Sequence, residues 1–185
     1  MQNYKITENK ILRISQDTDA QDPRKEWDNL GTIHIGDNRY FRGDIKLDWD
    51  NFDPSDYAIC LNVYAYIHSG IVLSCSPFDC KWDSGQSGFI TITKDQLISE
   101  YGADNEETRK NATDCLIGEI ETFSQYLGGS VYGFELIELR RCSGGHDHEY
   151  VLDSCWGFYG DNPIENGMFD HWDDETQSQF KELTK

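Results

Sequence analysis

An α+β fold, with an antiparallel sheet packed against one long helix and one or two shorter ones, is predicted by three observations. Segments of alternating polarity rich in Val, Ile, Tyr and Phe recur along the 185 residues. One long stretch, near residues 105–127, instead repeats its apolar positions at helical spacing. The order is strands, then helices, then strands again, as expected where helices and an antiparallel sheet segregate. The length reads as a single domain over residues 1–185, long enough to bury about 70% of its unfolded surface without a disulfide or metal.

Residues 10–15 and 31–35 read as short strands, separated by a polar loop over 17–29 that contains Asp22-Pro23-Arg24. Residues 48–56 form an acidic, irregular turn. Residues 58–68 alternate strongly and predict a strand, with Ser69-Gly70 turning into a hairpin partner at 71–74. Pro, Gly, Ser and Asp make 75–87 a loop, and 88–93 returns as a strand. Thr93 stands three residues before Gln96, the capping-box spacing, so a short helix runs from there to about Tyr101-Gly102. In the long helix, Ala112, Leu116, Ile120, Phe123 and Leu127 share one face, and Gly128-Gly129 ends it because glycine accepts the left-handed conformation. Residues 131–139 and 150–159 are expected to pair around Ser143-Gly144-Gly145, and an amphipathic helix closes the chain near 174–183.

Charge narrows the class of partner. Thirty-four acidic residues face 16 basic ones, a net charge of −18. Solubility alone asks for on the order of 2 to 8 units in a small domain, and the excess carries a self-repulsion cost. No Lys or Arg occurs between residues 47 and 80 or between 142 and 180, and Arg109 and Lys110 alone relieve the block from 95 to 121. The first 46 residues are nearly balanced. Direct nucleic-acid binding is disfavoured, since the basic clusters are only Arg24-Lys25, Arg109-Lys110 and Arg140-Arg141. A basic protein surface is the favoured partner. The acids expected to meet it are Asp104, Glu106, Glu107, Asp114, Glu119 and Glu121 in the middle of the chain, and Glu165, Asp170, Asp173, Asp174 and Glu175 near its end. Met1 is followed by polar residues, and no run of about 18 apolar residues occurs, so neither an export signal nor a membrane span is expected. The six cysteines then read as reduced thiols of a cytoplasmic protein.

Three clusters could carry chemistry, each weighed against a structural role. His68, Cys80, Asp83 and Ser84 stand around a loop between strands, where an imidazole could hold a thiolate nucleophile. The spacing matches no protease or amidase signature, and a structural loop with Trp82 as a core plug is the plainer reading. His146, His148 and His171 are candidate metal ligands, but two His one residue apart without a clear third and fourth ligand make an ordinary polar turn. The run from Asp153 through Trp156 to Gly160 could offer a stacking platform or simply form a core strand kinked at its glycines. A loose calcium-loop pattern from Asp17 to Asp28 lacks the required glycine. No phosphate-binding loop, dinucleotide fingerprint or nucleophile elbow is present, and no cofactor is expected.

Three stretches carry a resemblance. They are Asp22-Pro-Arg-Lys-Glu-Trp27-Asp28-Asn29-Leu30-Gly31-Thr32, then His68-Ser-Gly through Cys80-Lys-Trp82-Asp83-Ser84-Gly85-Gln86-Ser-Gly88-Phe89, then Asp153-Ser-Cys155-Trp156-Gly157-Phe158-Tyr159-Gly160. Together they resemble a group of uncharacterised proteins carried by bacteriophages and other mobile elements, with Lys81 standing where that group has Pro. The resemblance brings no fold, activity or catalytic residue. It implies a setting: an accessory protein acting in the cytoplasm of a bacterial host. Charge and setting together lead to an acidic protein that binds and inhibits a basic, nucleic-acid-binding host defence protein (a nuclease, restriction enzyme or CRISPR effector) by imitating nucleic-acid phosphate. The alternatives are a small cysteine- or metal-dependent hydrolase and an assembly protein of the element, and a homodimer without a host partner would support the last.

Overall fold

The computed structural model describes residues 1–185, and the strand and helix signals organise it as α+β. The strands are β1 (Gln2–Lys5), β2 (Lys10–Gln16), β3 (Thr32–Ile35), β4 (Ile45–Lys46), β5 (Ile59–Ile67), β6 (Ile71–Ser74), β7 (Ser84–Ile92), β8 (Val131–Arg141) and β9 (Asp147–Tyr159). The helices are the single turn α1 (Pro23–Glu26), then α2 (Lys94–Tyr101), α3 (Glu106–Gly128) and α4 (Asp174–Leu183), with short 3-10 turns at Pro54–Asp56 and Met168–His171. Where one sheet is expected from the sequence, two form, each with its own core. Asp22–Gly128 is one compact unit, and Met1–Gln21 with Gly129–Lys185 is the other.

The central unit holds a five-stranded sheet in the order β4-β3-β7-β5-β6, antiparallel except for the parallel β3–β4 pair. Alternation sorts its residues by face. Ile33, Ile35, Val63, Ala65, Ile90 and Ile92 point to one side and are buried against Ala112, Leu116, Ile120 and Phe123 of α3. Full burial of each large apolar side chain contributes roughly 2 kcal/mol. That term holds in place a helix whose remaining surface is polar and charged. The Thr93–Gln96 capping box forms at α2, and Gly102 ends that helix at φ 79°. The loop expected over 17–29 contains α1, because Asp22 accepts from the Arg24 N–H at 3.0 Å and Pro23 supplies a φ already suited to a helix start. β7 begins four residues earlier than expected, since Ser84, Gly85 and Gln86 already pair with β5.

The outer unit holds a four-stranded antiparallel sheet in the order β1-β2-β8-β9. Leu12, Ile14, Phe134, Leu136 and Phe158 face Phe169, Trp172 and Phe180, brought over them by the 3-10 turn and α4. Trp172 and Phe180 meet edge to face at 4.9 Å. Asp173 caps α4 by accepting from the Thr176 N–H at 2.7 Å and also takes Lys10 Nζ at 2.7 Å. β1 is an addition to the sequence reading, its polar residues being ordered by pairing with β2. β9 starts at Asp147, three residues before the expected boundary, because the turn is confined to residues 142–146, where the Cys142 N–H donates to the His146 carbonyl at 2.8 Å.

Candidate functional site

The second face of the five-stranded sheet carries no helix. Along β5, Asn62, Tyr64, Tyr66 and then His68 alternate outward, while Val63 and Ala65 point into the core. On β3 and β7 the same face presents His34 and Phe89, which are register partners. Residues 47–57 fold back over one end of it. Phe52 stacks on Phe89 at 4.5 Å and on Tyr57 at 5.4 Å, and Trp49 tilts against Phe89 at 5.7 Å. Gly36 is required under Trp49, since a Cβ there would collide with the indole. His34 lies beneath this layer, buried, with Nε2 at 3.0 Å from Thr91 Oγ1. Burial lowers its pKa, with the Asp44 carboxylate pulling weakly the other way. Toward the other end, Tyr66 approaches Phe78 at 5.9 Å and His68 at 6.4 Å, and Gln86 Nε2 donates to Asn62 Oδ1 at 3.1 Å.

The fold brings His68, Cys80, Asp83 and Ser84 together at this end. His68 Nδ1 is 3.3 Å from Asp83 Oδ2, and the Cys80 thiol reaches the same oxygen at 4.0 Å. The Ser84 hydroxyl donates to the Cys80 carbonyl oxygen. Asp83 therefore stands between thiol and imidazole. The Cys80 thiol meets the Asp83 carboxylate and not the His68 imidazole that would pair with a thiolate nucleophile. Trp82 is not a core plug: it is 95% exposed.

A buried ion cluster fastens the 22–31 segment to α3 and thereby locks the helix against the sheet. Arg24 donates to Glu119 Oε2, to Asn29 Oδ1 and to the Gly31 carbonyl, each at 2.7 Å, and its Nε donates to Asp44 at 3.1 Å. Glu119 also accepts from the Leu30 N–H at 2.6 Å and the Gly31 N–H at 3.2 Å. Two open clefts border the cluster. One of about 400 Å³ includes Asp28, Glu100, Cys115 and Glu119, and one of about 500 Å³ includes Arg24, Arg42, Asp44 and Tyr126.

The acids singled out in the sequence fall into two classes. Glu119 serves the buried cluster. Asp104 is held by Arg109, whose hydrogen bonds lower its pKa, and Asp114 pairs with Lys110 at 2.6 Å. Asp173 and Glu175 share Lys10. Glu106, Glu107 and Glu121 are exposed on α3 without an ion-pair partner, as are Glu165, Asp170 and Asp174 in the outer unit. Glu107, Asp114 and Glu121 recur every seven residues and so follow one stripe of α3, about 10 Å apart. The candidate metal ligands do not converge. His146 ends the hairpin turn, His148 pairs opposite Arg140, and His171 sits edge-on to Phe158 at 5.2 Å. Phe158 lies ten residues along β9 from His148, about 30 Å away. No three His, Cys, Asp or Glu side chains are grouped to hold a metal ion. Trp156 does not belong to a core strand: it is 45% exposed and lies flat over Gly133 of the neighbouring strand.

The aromatic sheet face was not singled out in the sequence. Its signal was the period-2 recurrence of Tyr64, Tyr66 and His68, which marks a strand but not which face stays open. No helix is long and apolar enough to cross a membrane. Compared with protein-family models, curated proteins and solved structures, the chain matches none.

Proposed function

We propose that this chain is a binding module for a basic, nucleic-acid-binding protein, and that its carboxylates occupy the partner's groove in place of phosphates. One observation carries the reading: the negative charge is largely uncompensated within the fold. Only eleven of the 34 acidic side chains come within ion-pair distance of a Lys or Arg. Both units share the excess, with 15 acids against 7 bases in the outer unit and 19 against 9 in the central one. Such a surface costs self-repulsion and gains it back only when a basic surface arrives. Duplex DNA, at one charge per about 1.7 Å, sets the potential that nucleic-acid grooves are built to meet. The resemblance of three motifs to phage and mobile-element accessory proteins supports a host defence protein as the partner class.

The test is capture from bacterial host lysate at low and high salt. The expected result is one dominant nucleic-acid-binding protein, released by salt and displaced by added DNA or RNA, because counterion release governs both contacts. Capture that ignores salt and nucleic acid would overturn the reading.

A further inference from the structure

We infer that the open face of the five-stranded sheet docks an arginine-bearing segment of the basic partner; the inference rests on the reading above and assigns its point of specificity. Three features of the face agree on this chemistry. The first is aromatic. Tyr64 and Tyr66 stand outward from β5, and Trp49 remains 51% exposed although Phe52 and Phe89 beside it are stacked and partly covered. The second is the charge of the segments that build and border it. Between residues 47 and 93 the chain has a single cation, Lys81, against Asp48, Asp50, Asp53, Asp56, Asp79 and Asp83. Asp48 and Asp53 accept hydrogen bonds from their own loop, whereas Asp50, Asp56 and Asp79 are exposed and lack an ion pair. The third is the geometry of the sheet. Within its own unit no helix or further strand lies over Tyr64 and Tyr66, both half-buried and the latter beside Phe78, so their outer edges are open to an extended segment along β5.

A guanidinium is the group these features fit. It is planar, weakly hydrated, stacks on an aromatic face and forks to a carboxylate. An ammonium is more strongly hydrated and lacks the plane. A nucleobase would also stack, but its phosphates would meet carboxylates where single-strand binders place Lys and Arg.

The experiment titrates fluorescently labelled nona-arginine, nona-lysine and a twelve-residue oligothymidine into the full-length chain at low salt. Nona-arginine is expected to bind about tenfold tighter than nona-lysine, and the oligothymidine not at all. Trp49→Leu with Tyr66→Leu keeps the apolar bulk and removes the ring faces. That pair is expected to abolish the arginine preference while leaving nona-lysine binding unchanged. Glu107→Gln with Glu121→Gln on α3, away from the face, should weaken both peptides alike. Hydrogen exchange on the unmutated chain gives an independent readout, with nona-arginine slowing exchange in residues 47–57 and 62–68. Equal binding of the two peptides, protection elsewhere, or oligothymidine protecting this face would overturn the inference and leave the charge reading standing. Failure of both peptides to bind at low salt would instead remove the charge reading itself.

Discussion

At the scale of single residues, Arg24 matters most to the fold. Its side chain is only 6% exposed and joins Asp44, Glu119, Asn29 and the Gly31 carbonyl. Arg24→Ala leaves two carboxylates without their cation, one of them, Glu119, nearly buried. The expected loss is about 3–5 kcal/mol, read as a fall in the denaturant midpoint. Arg24→Lys should recover less than half of it, because one ammonium cannot reach four acceptors spread around the plane of a guanidinium. Gly88 is a second such position. A Cβ there would collide with the His34 carbonyl of the paired strand, which is backbone and cannot rotate away. Gly88→Ala should cost about 3 kcal/mol, measured by the same denaturation. His34 couples stability to pH. Burial holds its folded pKa below the ordinary 6.5, so the unfolded chain takes up a proton first as pH falls. Stability is expected to be full above pH 6.5 and to fall below it toward the lowered folded pKa. His34→Gln should flatten that slope between pH 7 and 5 in a series of thermal melts.

At the scale of elements, α4 shows how acids written as surface charge become structural. Asp173 is the N-cap, and Asp174 and Glu175 occupy the first turn, where the helix dipole favours negative charge. Burial pushes the Asp173 pKa up, but hydrogen bonds from Lys10 and Thr176 outweigh it and hold the carboxyl at about 2. The sign follows: its contribution is present above the unfolded value of 3.8 and lost as pH falls toward 2. Asp173→Ala should cost about 1 kcal/mol as a lost cap and remove the acid-limb slope in that window, seen by melts between pH 5 and 2. β9 shows a different compromise. It is an edge strand, exposed along most of its length, and its register against β8 shifts twice. Bulges of this kind twist an edge out of line and discourage sheet-to-sheet pairing. α3 was the most legible element in the sequence, its bounds expected within about one residue, because a four-turn apolar repeat admits one period.

At the scale of the whole molecule, the chain builds its outer unit from both ends and its central unit from one continuous segment. Asp22–Gly128 contains its own sheet, its own core and both ends of the Arg24 cluster. Residues 22–128 expressed alone are expected to fold, giving a cooperative thermal transition by far-UV circular dichroism, as inserted segments with closed cores do. An unstructured fragment would show that the central core depends on the rest of the chain. Strand periodicity predicts one sheet where two form, because it is the same whether two strands share a sheet or not. The sites were less legible still. The spacing placed His68, Cys80, Asp83 and Ser84 near one another, and they do meet, yet only the structure puts Asp83 between thiol and imidazole. His146, His148 and His171 carry no signal of distance, and β9 holds them apart.

By itself the sequence determined what local rules determine: the α+β class, the capping box at Thr93, the span and apolar face of α3, the amphipathic α4, and the excess of acid over base. These follow from spacing within a few residues and from composition. Only the tertiary structure decided that the strands form two sheets, that Glu119 is spent on Arg24 while Glu107 and Glu121 stay exposed, and that one aromatic sheet face is covered by a loop at one end and by no helix of its unit. The physical reason is that pairing, ion-pair formation and coverage depend on residues far apart in the chain meeting in space. An Asp in a sequence has the same charge whether the fold buries it against an arginine or leaves it to water.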